Sequence, residues 1–167
     1  MKRLIFYILS ILAISGCILE NNSEDIIDAG DALPDFSVVM SDGSVVSTSS
    51  LKGSMSIVMF FHTSCPDCQQ ALPAVQRIYD EYNSKGVKFA LISREEAEGS
   101  IQDFWSENGL EMPYSAQSSR DIYNLFATSR IPRIYISDEN GIVRYIFTDN
   151  PVPTYSDLKS ALDNLIR

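Results

Sequence analysis

Cys65 and Cys68 are the residues whose type and spacing could do chemistry in this chain. They stand two residues apart in His62-Thr63-Ser64-Cys65-Pro66-Asp67-Cys68, directly after the apolar run "SIVMFF". Such a pair has three uses: to exchange electrons with another disulfide, to hold a metal, or to close an inert staple. Exchange needs one exposed, partly ionised sulfur, a second sulfur near enough to resolve a mixed disulfide, and a scaffold that holds both. A Cys-x-x-Cys at a strand-to-helix junction supplies all three. Cys65 falls at the helix start, where free N–H groups and the helix dipole stabilise a thiolate. Cys68 follows one turn later on the same side and is expected to be more buried. Cys65 is therefore assigned as the attacking nucleophile and Cys68 as the resolving thiol. A zinc site needs about four ligands, whereas the chain has one histidine and one further cysteine, Cys17; no metal site is expected. A disulfide closing so small a loop removes little chain entropy, which makes a purely structural staple a poor use of the pair.

The elements that must position this pair follow from pattern. "FSVVM" and "SVVST" flank Asp42-Gly43, a hairpin signal. The unbroken apolar run 56–61 reads as a central strand covered on both faces. Residues 66–84 read as a helix, with Pro66 in its first turn, Pro73 inside as an expected kink, and Gly86 at the exit. A second buried strand follows at 87–93. Helices are expected at 98–109, with Trp105 and Phe104 in the core, and at 120–129. "RIYIS" and "IVRYIF" read as strands joined by the turn "DENG", and an amphipathic helix closes the chain. This order implies a mixed central sheet covered on both faces.

Composition narrows the function classes. The chain has 167 residues, enough for one ordinary domain, and a net charge of −9, which disfavours a nucleic-acid partner because no clustered counter-charge is available. The acidic cluster Glu95, Glu96, Glu98 reads as a solvated loop. The first residues read as a targeting segment: "MKR", then an apolar stretch too short for a confident membrane span, then "ISGC". Ile14, Ser15 and Gly16 before Cys17 resemble a bacterial lipoprotein signal. That resemblance implies cleavage after residue 16 and acylation of Cys17, the acyl chains restoring membrane attachment. The domain reading is a signal peptide at 1–16, an acidic tether at 17–30 and a folded domain at 31–167. The expected location is the bacterial cell envelope, outside the cytoplasm. Ile18, where an aspartate would favour inner-membrane retention, leans the reading toward the outer membrane.

From about Gly30 onward the chain resembles the TlpA/ResA-like thioredoxin family of extracytoplasmic thiol–disulfide oxidoreductases. The resemblance rests on "LPDFSVVMSDGSVVSTSSLKG", on a hydrophobic strand leading into "CPDCQQALP", and on "SRIPRIYISDENGIVRY". It implies an α/β fold: a thioredoxin-like three-layer α/β/α sandwich with a mixed central sheet and an N-terminal β-hairpin. It also implies a cis bond at Ile131-Pro132 beside the dithiol, these two residues helping to bind the partner peptide. No cofactor is implied beyond the redox-active pair. The implied partners are cysteine-containing exported proteins and an upstream thiol–disulfide electron donor.

The chain departs from that family at three places. Ser64 replaces the common Trp before the first cysteine. Met59 and Ala71 occupy two positions where relatives place a buried carboxylate able to take the resolving thiol's proton. Asp67, between the cysteines, and His62, three residues before Cys65, are possible modulators of the thiolate; His62 also reads as a rim residue at the strand end. Two other readings stay open. A peroxiredoxin-like peroxidase needs Thr or Ser where this chain has His62, and Pro where it has Val58. A non-catalytic binding or sensing domain could retain the pair.

Overall fold

The computed structural model describes residues 26–166; Cys17, the expected signal peptide and most of the expected tether lie outside that range. The hairpin forms as expected. Strands β1 (Ser37–Val39) and β2 (Val45–Ser47) pair antiparallel, and the Asp42 carboxylate accepts from the Ser44 N–H at 2.9 Å to close the turn. A short helix, α1 (Thr48–Leu51), follows at once, capped by Ser47 and Ser50 reciprocally. The apolar spacing gave no sign of it.

The 56–61 run forms β3 (Ser56–Phe61), buried at every position. It lies at the centre of a five-stranded sheet in the order β5-β4-β3-β6-β7. On one side β4 (Lys88–Ser93) and β5 (Tyr114–Ser115) run parallel to it; on the other β6 (Arg133–Ser137) runs antiparallel, followed by β7 (Val143–Phe147). The two-residue β5 was not foreseen; it is too short to carry a period. Its free side is covered by the hairpin, where the Ser41 N–H donates to Tyr114 O at 2.6 Å and Ser115 Oγ to Val39 O at 2.7 Å. That contact removes an exposed edge.

One face of the sheet carries the long helices. Helix α2 (Pro66–Tyr82) runs through Pro73 and buries Ala71, Leu72, Val75 and Ile78. It ends in a 3₁₀ turn, Asn83–Lys85, and Gly86 at φ 90°, a conformation that suits glycine. Helix α3 (Glu98–Asn108) presents Trp105, which packs against Phe61 and Tyr114 at ring-centroid distances of 5.0 Å. Helix α4 (Tyr155–Leu165), with a Thr154/Asp157 capping box, lies beside α2; the Tyr82 hydroxyl donates to Asp163 at 2.5 Å.

The other face is built differently from expectation. The helix expected at 120–129 is only a 3₁₀ turn, Tyr123–Leu125. In a helix over 120–129 the Phe126 carbonyl would be one of the last four, which have no partner within the helix. Here it accepts from the Tyr135 hydroxyl at 3.2 Å and the Ile26 N–H at 2.9 Å. Those donors come from a sheet strand and from the start of the described chain, so tertiary bonds satisfy this end of the segment. Phe126 and Tyr123 then pack on Phe60, at 4.8 and 5.4 Å. Ile27 is also buried, so the packed domain takes in the last five residues read as tether.

Candidate active site

The dithiol sits where β3 gives way to α2. The Cys65 N–H donates to His62 O at 3.0 Å, forming a tight turn, and Cys65 becomes the N-cap of α2 with extended backbone (φ −84°, ψ 117°). Pro66 follows as the first helical residue, where its missing N–H leaves no bond unmade. Cys65 is partly exposed; Cys68 is fully buried, and both are free thiols. Burial pushes the Cys68 thiol well above its ordinary value, because a thiolate there would lose its water. A hydrogen bond from the His62 backbone and the positive charge of Arg94 pull the other way without reversing it.

The loop before β6 forms the opposite wall. Ile131-Pro132 is cis, as expected, and so is Asn150-Pro151, which was not foreseen. The Cys65 thiol donates to the Ile131 carbonyl at 3.5 Å, so the predicted nucleophile and the predicted peptide-binding loop meet. The Tyr123 hydroxyl donates to Arg130 O at 2.6 Å, and the buried Arg133 donates through Nε to Ser129 O at 3.0 Å. Arg130 has φ 66°, rare for a residue other than glycine, and these bonds to the carbonyls of Ser129 and Arg130 hold it there.

Between the two walls opens a cleft of about 510 Å³. Cys65, Ser64 and His62 line one side and Ile131 and Arg130 the other, while Arg94, Glu95 and Arg120 form the rest. Ser64, in place of an aromatic residue, is exposed; its N–H and hydroxyl lie 3.2 and 3.0 Å from His62 Nδ1. His62 is thus a rim residue at the strand end, turned toward its own loop. Asp67 is half-buried in the first turn of α2 and does not line the cleft. Met59 and Ala71 are buried and apolar, so no carboxylate stands at either position.

Glu96 was misread. It belongs to the acidic run expected to be solvated, yet it is only 6% exposed. Its carboxyl accepts from the Thr63 N–H at 2.8 Å and from the Thr63 hydroxyl, and it lies 3.6 Å from His62 Nδ1. The Glu96 N–H in turn donates to Gln117 O at 2.8 Å. Glu96 therefore fixes the loop just before the dithiol from a segment thirty residues away. Only the exposed character of its neighbours is visible locally; nothing in the sequence marks it out. Glu96→Ala would strand the buried Thr63 N–H, and we expect a loss of about 2 kcal/mol from the urea midpoint at unchanged slope. Glu96→Gln, which keeps one acceptor, should lose less than half of that; equal losses would contradict the role given to this bond.

Among the described residues no group of three or more His, Cys, Asp or Glu side chains could hold a metal, and no helix is long and apolar enough to cross a membrane. The sequence matches the Redoxin family over residues 28–165. A thiol-disulfide oxidoreductase ResA from Bacillus thuringiensis is 24% identical over 148 residues, spanning 85% of this chain and 86% of its own length. The ResA of Oceanobacillus iheyensis is 29% identical over 142 residues, spanning 81% and 74%. Among solved structures, a thiol:disulfide interchange protein of the thioredoxin family from Chlorobium tepidum superimposes with a TM-score of 0.72 at 24% identity, over 84% of this chain and 100% of its own. The thioredoxin-like fold is therefore shared.

Proposed function

The chain belongs to the Redoxin family, and within it we propose a ResA- and TlpA-like thiol–disulfide oxidoreductase that works through Cys65 and Cys68. The observation that carries this reading is the placing of the two sulfurs. Cys65 is at a helix N-cap, open to a cleft and 3.5 Å from Ile131 O, with Cys68 buried one turn behind it.

In the reducing direction, the Cys65 thiolate attacks one sulfur of a partner disulfide. The Cys65–partner bond forms, the partner's own S–S bond breaks, and the released partner thiolate takes up a proton. Cys68 then loses its proton and attacks Cys65 Sγ, which frees the second partner thiol and leaves a Cys65–Cys68 disulfide. Two electrons and two protons pass from the protein to the partner; the reverse sequence oxidises a partner dithiol. Backbone groups at Ile131 and Pro132 would align the partner chain against Cys65. With Met59 and Ala71 apolar, neither position offers a carboxylate for the Cys68 proton, which must leave through water or another group.

The partners are cysteines of exported proteins and an upstream thiol–disulfide donor. The "ISGC" signal supports acylation of Cys17 and attachment to the outside of a bacterial envelope membrane, leaning to the outer one. Equilibration of the full chain with dithiothreitol buffers should reveal one reversible two-electron couple, between about −300 and −120 mV. No couple in that window would leave a non-catalytic binding domain. Cell fractionation of Cys17→Ala should move the protein off the membrane; unchanged fractionation would remove the lipid anchor from the reading.

A further inference from the structure

The cleft beside Cys65 is positively charged in a strongly acidic chain. Arg94, Arg120 and Arg130 line it against a single carboxylate, Glu95. Two of the three are engaged. Arg120 Nε lies 2.6 Å from Glu95 Oε2, and Arg130 lies 3.4 Å from Asp149 Oδ2.

Arg94 is different. It follows β4 directly, and its N–H is fixed to Phe61 O at 2.7 Å, at the end of the strand that leads to the dithiol. Its guanidinium rests over the Tyr123 ring, 5.4 Å from the centroid. Among the described residues the buried Nε atom has no hydrogen-bond partner and no ion pair joins the guanidinium to a carboxylate. A buried donor left without an acceptor is costly, and one in a native fold calls for a reason. Backbone strain points to the same place. Glu95 and Arg130, both lining the cleft, have φ 66°, and unfavourable backbone of this kind gathers where side chains are held for a ligand.

We propose that Arg94 is the base of an anion subsite that receives a carboxylate carried next to the reacting cysteine, so that the exchange partner is an acidic peptide segment. A guanidinium is suited to this because its planar fork meets a carboxylate through two parallel hydrogen bonds. The Tyr123 ring holds that fork in place, and Arg120, already paired with Glu95, leaves the cleft with net positive charge. The local field also offsets the repulsion that a chain of net charge −9 would exert on an acidic partner. The inference rests on the oxidoreductase reading above.

The test uses the reduced full chain and two peptide disulfides that differ only in the residues flanking cysteine, Glu-Cys-Glu against Gln-Cys-Gln. At low salt the acidic peptide should oxidise the protein about tenfold faster. That ratio should fall toward one in roughly 0.5 M salt, and Arg94→Gln should bring it close to one at low salt. A ratio near one in the unaltered protein, or a ratio that survives Arg94→Gln, overturns the subsite while exchange itself stands. Equal slowing of both peptides by Arg94→Gln leaves the ratio intact and overturns it in the same way. If neither peptide oxidises the protein, the oxidoreductase reading falls first. Should Arg94→Gln fail to fold, a ratio near one in the unaltered protein, or one that survives roughly 0.5 M salt, still overturns the subsite.

Discussion

Cys65→Ser is expected to lower disulfide exchange by at least about a thousandfold, while Cys68→Ser stalls the reaction halfway. The two cysteines differ in access, not in kind. Cys65 is partly exposed in the cleft, and Cys68 is fully enclosed behind it. Only Cys65 can meet a partner disulfide, and a serine hydroxyl in its place is far too weak a nucleophile at neutral pH. With Cys68→Ser the first attack proceeds, but nothing releases the partner. Mixed disulfides should therefore accumulate and be visible on non-reducing gels, and should vanish in the double variant. Mixed disulfides that form with Cys65→Ser instead would reverse the two roles.

The second large effect concerns pH. Burial raises the Cys68 thiol well above its ordinary value of 9.0, so at neutral pH almost all of it is protonated. Far below its pKa, the thiolate fraction grows tenfold for each unit of pH. Resolution of a preformed Cys65 mixed disulfide should accelerate by about a hundredfold between pH 6 and pH 8. Forming the mixed disulfide removes the influence of the Cys65 thiol on its neighbour, but burial, the largest cause, remains. Stopped-flow release of a fluorescent partner would measure it. A flat profile would mean that a base inside the fold takes the proton. The same shift sets a stability trend in the reduced protein. The folded state holds this proton more tightly than the unfolded chain, so its contribution is complete below the unfolded thiol value and declines as pH rises beyond it.

Much of this site could be read from the sequence because its information is local. An unbroken apolar run, then Cys-Pro-Asp-Cys, then three- and four-residue apolar spacing fixes strand, N-cap and helix in one stretch. The cis bond at Pro132 came from family resemblance, since no local pattern marks an isomer. The errors fall where distant groups decide. Ile122, Tyr123 and Phe126 have helical spacing and are held against the core, but the segment closes only a 3₁₀ turn and its Phe126 carbonyl is bonded to Tyr135 and Ile26. Glu96 sits among exposed acids, and only Thr63 reveals its use. Arg94 gives no sign in sequence; its place depends on the strand order that brings the end of β4 beside that of β3.

The early start of packing would also limit where a lipid-anchored form of the protein could act. Ile26 is already bonded to Phe126, in the segment leading to the cis-Pro132 wall. If Cys17 carries the lipid, eight residues, and so nine chain steps, separate the anchor from that point. Fully extended, they span about 30 Å, roughly one domain diameter. The cleft then patrols a thin layer above the membrane, and a partner must bring its disulfide into that layer to be served.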